Sequence, residues 1–257
     1  MKKVILSLSI LLTLLLTSCS SGKSATEVKN SLQNQNIDRI SITNTRHEGR
    51  YTITDAKSIQ RFTGYIEKAK VAKEDTGLEP DFVFEIYNPE KSVGTYKYIA
   101  GVTDKDEANL IGLNGEKYRI SRNIEDIFIK RLMKKDNLEN VPEYYTSLIN
   151  TIIEKQGIKE GSKVVADIGK DHAVTRSITS VEQESILDSV KSNGIKVSFP
   201  KEGEAFDYKI EIKTGKYSNT TCEAQVEVKT PKETVNKYEV SGNYKKGNWE
   251  FHITYKK

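Results

Sequence analysis

The sequence is poor in the residues that most often build cross-linked, metal-bound or thiol-based sites. It has two cysteines and three histidines in 257 residues. If Cys19 is consumed by N-terminal processing, Cys222 has no partner for an intramolecular disulfide, so stability must come from buried apolar cores. The histidines, His47, His172 and His252, are far apart in the sequence and form no short-spaced metal-binding pair. We therefore expect no metal site.

Patterns that mark common catalytic and nucleotide-binding proteins are also missing. The chain contains no glycine-rich phosphate loop, no HExxH, no CxxC and no GxSxG. Its 40 basic residues are nearly balanced by 36 acidic residues, and interleaved charges provide no basic stripe for nucleic acid. We expect neither a cofactor nor a nucleic-acid partner.

The N-terminus has the layout of an export signal. Lys2 and Lys3 precede an uncharged, mostly aliphatic run over residues 4–16, which is shorter than the roughly 20 apolar residues that a bilayer core requires. The run ends in the sequence LTSC at Cys19, which resembles the lipobox of bacterial lipoproteins. The resemblance implies cleavage after residue 18 and a diacylglyceryl thioether on Cys19. An ordinary secretory signal with a chance cysteine is the alternative.

Lipidation predicts where the protein is located. Removal of residues 1–18, with two lysines, lowers the formal charge from +4 to +2. Two or more acyl chains hold a protein durably on a membrane, so we expect a lipid anchor on the outer face of the cytoplasmic membrane. Residues 19–36 are rich in Ser, Asn, Gln and Lys, which is typical of a solvated tether. The overall amino-acid usage resembles that of low-GC Gram-positive bacteria.

Residues 37–136 are predicted to form a first α+β domain. Alternating apolar residues predict strands in IDRISITN, GRYTITD, DFVFEIYN and TYKYIAGV. Between them, Ile59, Phe62, Ile66 and Ala69 share one face of a helix that Asp55 can cap. Asn114-Gly115 predicts a hairpin turn with positive φ angles. A last helix is expected from Ile124, capped by Asn123, and its buried face is predicted to comprise Ile124, Ile127, Phe128 and Leu132.

Residues 142–257 are predicted to form a second α+β domain, in which helices pack on a four-stranded antiparallel meander. Pro142 opens a helix with a stripe at Tyr145, Leu148, Ile149 and Ile152, and Gly157 ends it. Ser180 and Gln183 fit the capping box of a second helix that ends at Gly194. After Gly194 the apolar period becomes two, which predicts a sheet with one wet face. The alternation places Ile210, Val226 and Phe251 in one buried layer.

Each predicted domain resembles a known type. The helices, the meander and the last hairpin, with its sequence YKKGNWEFHI, are similar to cystatin-like or NTF2-like domains. The stretch PDFVFEIYNPEKSVGTYKY, followed by a hairpin ending in YRIS and a terminal helix, is similar to YhfM-like lipoprotein domains of Firmicutes. These resemblances imply folds and say little about function.

The only candidate chemical site in the sequence is the predicted loop DIGKDHAVTR. It gathers Asp167, Asp171, His172 and Arg176, but it has no identifiable nucleophile and no second histidine for a metal. Cys222 falls in the apolar phase of a strand, which favours a buried thiol over a nucleophile.

Two functions of different classes follow from these patterns. The first is a non-catalytic binding module whose partner is a protein, a peptide or a cell-wall component; a structural envelope role is not separable from it by sequence. The alternative is an enzyme that uses an NTF2-like cavity or the loop of Asp167, Asp171 and His172. We favour binding, because the strand phases direct apolar side chains inward and acids and histidines outward.

Overall fold

A computed structural model of the protein describes residue 32 and residues 35–46, 48–133, 138–190 and 194–256. The predicted signal segment, Cys19, most of the predicted tether and His47 lie outside the described residues. The described chain combines helices with two sheets, which confirms the α+β class. None of its described helices has the length and apolar character needed to cross a membrane.

The N-terminal unit, which we define as residues 32–133, contains an antiparallel sheet covered by a helix. Its described strands are β1 (Arg39–Asn44), β2 (Arg50–Ile53), β3 (Lys70–Val71), β4 (Phe82–Tyr87), β5 (Ser92–Tyr98), β6 (Leu110–Gly112) and β7 (Lys117–Arg119). Their order is β2-β1-β4-β5-β6-β7-β3. Along β4, Phe82, Phe84 and Ile86 are buried and alternate with partly exposed residues, so one face of the sheet forms the core.

Helix α1 (Ala56–Ile66) packs on that face as the sequence predicts. The Asp55 carboxylate accepts a 2.8 Å hydrogen bond from the Ser58 amide, which confirms the predicted cap. The Phe62 ring lies edge-on to Phe84 and Phe128, with centroids 5.1 and 5.3 Å away. Helix, sheet and C-terminal segment of the unit therefore meet at Phe62.

The β6–β7 hairpin differs from the prediction that both Asn114 and Gly115 have positive φ angles. Only Gly115 has one, at 88°. Its amide donates to the Gly112 carbonyl over 3.1 Å, and the Gly112 amide donates to the Glu116 carbonyl over 2.8 Å. The loop thus has three residues with glycine at the left-handed position, which is the commonest hairpin connection after the two-residue loop.

The last helix of the N-terminal unit also departs from the prediction. It contains a π-helical turn, Glu125–Ile129, which continues into α2 (Lys130–Met133), and it has no side-chain cap from Asn123. A π turn takes more residues than an α turn and so shifts the buried face along the sequence. Ile124, Phe128 and the unpredicted Ile129 are buried, whereas Ile127 and Leu132 are only partly buried.

The C-terminal unit, residues 138–256, contains a mixed sheet. Its described strands are β8 (Lys163–Asp167), β9 (Lys196–Ser198), β10 (Tyr208–Tyr217), β11 (Thr221–Lys229), β12 (Thr234–Lys245) and β13 (Asn248–Lys256), in the order β13-β12-β11-β10-β8-β9. The predicted meander is present as β10 to β13. The prediction missed β8 and β9, which run parallel to β10 and to each other.

The described helices of this unit are α3 (Val141–Gln156), α4 (His172–Thr175) and α5 (Ser180–Ser189). The predicted stripe of α3 is fully buried, and Gly157 ends the helix with φ 60°. The predicted cap of α5 is wrong by one residue, because Thr179 and Glu182 form the capping box. The helix ends at Ser189 rather than at Gly194.

The buried layer of the meander is partly as predicted. Ile210 and Val226 have no exposed surface, whereas Phe251 is only half-buried near the end of the sheet. Trp249 is the buried residue of β13, with its ring 5.5 Å from that of Tyr144 and 5.6 Å from that of Tyr217. The aromatic cluster fixes α3 against the last strands.

Candidate functional site

The structure separates the four residues of the predicted loop. Asp167 ends β8 and forms an ion pair with Lys209 at 2.8 Å. Asp171 is buried in front of α4, and His172, the first residue of α4, is exposed. Arg176 lies beside a small cavity at the contact between the two units. The predicted loop is instead a strand end followed by a short helix.

Asp171 belongs to a hydrogen-bonded cluster inside the core. Its Oδ2 accepts bonds from Tyr145 Oη over 2.8 Å and from Thr214 Oγ1 over 2.5 Å, and its Oδ1 accepts from the Thr214 amide over 3.1 Å. The Tyr144 hydroxyl lies 2.9 Å from Thr214 Oγ1. Burial, and then the charge of Asp171, raise the pKa of Tyr145 well above its ordinary value. The cluster satisfies a buried carboxylate and holds the α4 segment to β10.

On the solvent face of the meander, lysine and acidic side chains form a chain of ion pairs. Lys209 contacts Asp167 and, at 3.0 Å, Glu211, while Lys229 bridges Glu211 and Glu227. The hydrogen bond to Asp167 is the main cause of the raised pKa of Lys209. These charges neutralise one another.

Beyond those ion pairs lies a groove of about 590 Å³ on the same face. His252 lines it and is exposed, as predicted, together with Glu223, Glu239 and Lys213. Its lining therefore carries both signs of charge and favours no one class of charged ligand.

A second groove, which we call the basic groove, lies on the N-terminal unit, and the charged residues that line it all have the same sign. Its volume is about 810 Å³. Its lining consists of Gln60, Arg61, Gly64, Tyr65, Lys68, Lys70, Thr103, Lys105, Arg119, Ile120, Ser121 and Arg122. Six of these residues are cationic and none is acidic. A concave surface lined by one sign of charge concentrates ligands of the opposite sign.

The cations of the basic groove come from separate segments of the fold. Arg61 and Lys68 belong to α1 and the turn after it, and Lys70 of β3 is the register partner of Arg119 of β7. Arg119 is held by main-chain oxygens, with Nη2 donating to the Val102 carbonyl over 3.2 Å. Among the described residues, Arg61, Lys68, Lys70, Lys105 and Arg119 form no ion pair.

The carboxylate of Glu125 contacts one cation of the basic groove and is also held by groups outside the lining. Glu125 Oε1 accepts hydrogen bonds from Tyr98 Oη over 2.8 Å and from the Gly101 amide over 3.0 Å. Its Oε2 lies 3.4 Å from Nη2 of Arg122. Only Arg122 of the six cations is therefore partly neutralised by a described side chain.

Sequence reasoning missed the basic groove, because its cations are scattered from residue 61 to residue 122 among acidic residues. The signal that was available is the spacing Arg61, Gly64 and Tyr65, which places these residues on the polar face of α1, with Lys68 in the turn that follows. For metal binding, the described residues contain no group of three or more His, Cys, Asp or Glu side chains able to hold an ion.

Comparison with known proteins finds one family. The model of the family described as "YhfM protein" matches residues 33–138, which is less than half of the chain. The N-terminal unit, with its basic groove, is thus similar to YhfM proteins, as predicted. No curated protein and no solved structure matches the chain.

Proposed function

We propose that the protein is a lipid-anchored, extracytoplasmic binding protein of a Gram-positive bacterium, without a catalytic role, that holds its ligand in the basic groove. The observation that carries the proposal is the lining of that groove. It offers six cations together with the hydroxyls of Tyr65, Thr103 and Ser121. It offers no histidine, carboxylate or thiol, which are the usual groups of acid–base and nucleophilic catalysis.

The proposed location rests on the N-terminal sequence. The basic residues, the apolar run and the LTSC sequence occur in the order that lipoprotein export requires. In the proposal, the mature chain begins at Cys19, and a tether of about 18 residues spans an average of roughly 25 Å if it is flexible. In this arrangement the basic groove lies near the outer face of the cytoplasmic membrane.

The C-terminal unit is proposed to be a cystatin-like or NTF2-like domain. The supporting observation is that α3 packs on β13 and on α5 at the apolar face of the four-stranded meander. The parallel strands β8 and β9 are additions to that pattern.

The anchor is tested by intact-mass analysis of the native protein. We expect a chain that begins at Cys19 and carries the added mass of a diacylglyceryl group, and that partitions with membranes. The Cys19→Ser protein should lack the lipid and leave the membrane fraction. An unmodified native chain that begins at another residue would overturn the lipoprotein proposal.

A further inference from the structure

We infer that the basic groove binds a linear phosphate-bearing polymer, with cations of α1, β3 and β7 contacting successive phosphates along one chain. The inference rests on the proposed function, because it names the ligand class of the same groove. It is carried by the groups on α1 and the turn after it, by the geometry of the opposite wall and by an unexplained glycine.

The first wall of the groove is formed by α1 and the turn after it. Arg61, Gly64 and Tyr65 lie on α1, on the side opposite the buried Ile59, Phe62 and Ile66, and Lys68 lies in the turn two residues after the helix ends. The six cations of the lining come from separate segments around a groove of about 810 Å³. Charge-assisted hydrogen bonds are about 2.8 Å long, so cations spread over a groove of this size suit successive phosphates of a chain better than one compact anion.

The second wall is formed by neighbouring strands. Lys70 and Arg119 are directly opposite each other across β3 and β7, so their side chains leave the sheet on the same face. The hydrogen bond to Val102 orients the Arg119 guanidinium without neutralising its charge. A planar guanidinium fixed in this way matches the paired oxygens of a phosphate.

Gly64 lacks a packing reason inside α1. A Cβ at this position would meet no atom within 4 Å, and the residue has no positive φ that would require glycine. Glycine in a helix interior nevertheless costs stability relative to other residues. Its position between Arg61 and Lys68 leaves the floor of the groove open, which gives a ligand chain access to both cations.

The lining favours a phosphate polymer over nucleic acid or a lipid surface. Proteins that bind single strands stack bases on exposed aromatic side chains, whereas Tyr65 is the one aromatic residue of the lining and is half-buried. Membrane-surface binders also insert large apolar side chains, and Ile120, the aliphatic residue of the lining, is buried.

The test measures binding of sodium polyphosphate to the mature chain carrying Cys19→Ser, as a function of salt. Each contact on a single-stranded polyanion contributes about −0.7 to the slope of log K against log salt, so six contacts predict a slope of about −4. The triple variant Arg61→Gln, Lys68→Gln and Arg119→Gln should reduce the slope to about −2 and the affinity at least tenfold. The control removes three exposed lysines of the C-terminal unit, Lys201, Lys213 and Lys232, by the same change and should alter the affinity less than twofold.

Gly64 supplies a second, charge-specific test. Gly64→Gln and Gly64→Glu add side chains of equal size, and neither should lower the melting temperature, because both residues are better helix formers than glycine. Gly64→Glu should weaken polyphosphate binding at least fivefold more than Gly64→Gln. Equal binding by the two variants would place the polymer outside the groove and overturn the inference.

Three other ligands test whether the groove prefers a phosphate polymer to other anionic partners. Polyglutamate, single-stranded DNA and phosphatidylglycerol vesicles, each at matched charge, should bind more weakly than polyphosphate. Tighter binding to any of them, or an equal loss in the lysine control, would overturn the phosphate-polymer inference. The proposed function would survive that result if the native ligand still contacts the basic groove in cells, which the last experiment of the Discussion measures separately.

Discussion

The Asp81 carboxylate of the N-terminal unit accepts a 2.8 Å hydrogen bond from the amide of Ser180, the first residue of α5 in the C-terminal unit. It also accepts bonds of 2.9 Å from Arg46 Nη2 and from the Ala100 amide. Burial raises the pKa of Asp81, and the charge of Arg46 opposes this effect. The first amides of a helix have no partner within the helix, so one unit completes the helix of the other.

Removal of this carboxylate should loosen the contact between the units. Asp81→Ala leaves the partly buried Arg46 guanidinium without its counter-charge, which we expect to cost about 3 kcal/mol, the lower end of the range for a buried pair. Limited proteolysis between residues 134 and 142, the predicted domain boundary, should become faster and release two folded fragments. Glu85→Ala, which breaks the more exposed pair with Arg50, should cost less than about 1 kcal/mol. Equal cleavage rates in both variants would contradict a role for Asp81 between the units.

Substitution of the neighbours Asp171 and His172 should have very different effects on stability. Asp171→Ala leaves the donors of Tyr145 and Thr214 unsatisfied in the core, at about 1–3 kcal/mol for each group. His172→Ala, at an exposed position, should change stability by less than about 0.5 kcal/mol. Thermal melts measure both effects. A folded His172→Ala protein that fails to complement a deletion strain would instead support the enzyme alternative.

Cys222 should be unreactive until the protein unfolds. Burial raises the pKa of its thiol to about 12, so at pH 8 the folded protein holds almost no thiolate, the form that reacts. Because the folded pKa exceeds the ordinary value, the unfolded chain loses this proton first, and stability should fall as the pH rises from about 9 to 12. In the Cys19→Ser chain, a thiol reagent should react slowly at pH 8 and rapidly in denaturant. Rapid reaction without denaturant would show that the thiol is accessible.

The sequence predicted those elements whose local pattern agrees with their final environment. Strands with one wet face, such as β11 and β13, alternate regularly, and α1 has both a stripe and a cap. β8 was missed because its KVVAD sequence holds only three consecutive apolar residues and no alternation, a pattern that does not distinguish a buried parallel strand from other buried segments.

The functional features that the sequence did not predict depend on contacts between residues far apart in the chain. Asp171 is next to His172 in the chain, but its partners are Tyr145 and Thr214, which no local pattern connects to it. The basic groove likewise requires β3 to pair with β7, 47 residues apart at the Cα partners Val71 and Tyr118. Charge counted along the chain is nearly balanced, whereas charge in the folded groove is of one sign.

The most direct measurement is site-specific photocrosslinking on intact cells. A photoreactive residue at Gln60, which lines the basic groove, is compared with one at Thr254 on the solvent face of the meander. We predict a crosslinked species from Gln60 that disappears when Arg61, Lys68 and Arg119 are changed to glutamine, and none that depends on those cations from Thr254. Crosslinking only from Thr254, or crosslinking from Gln60 that persists without the three cations, would contradict a ligand held in the basic groove.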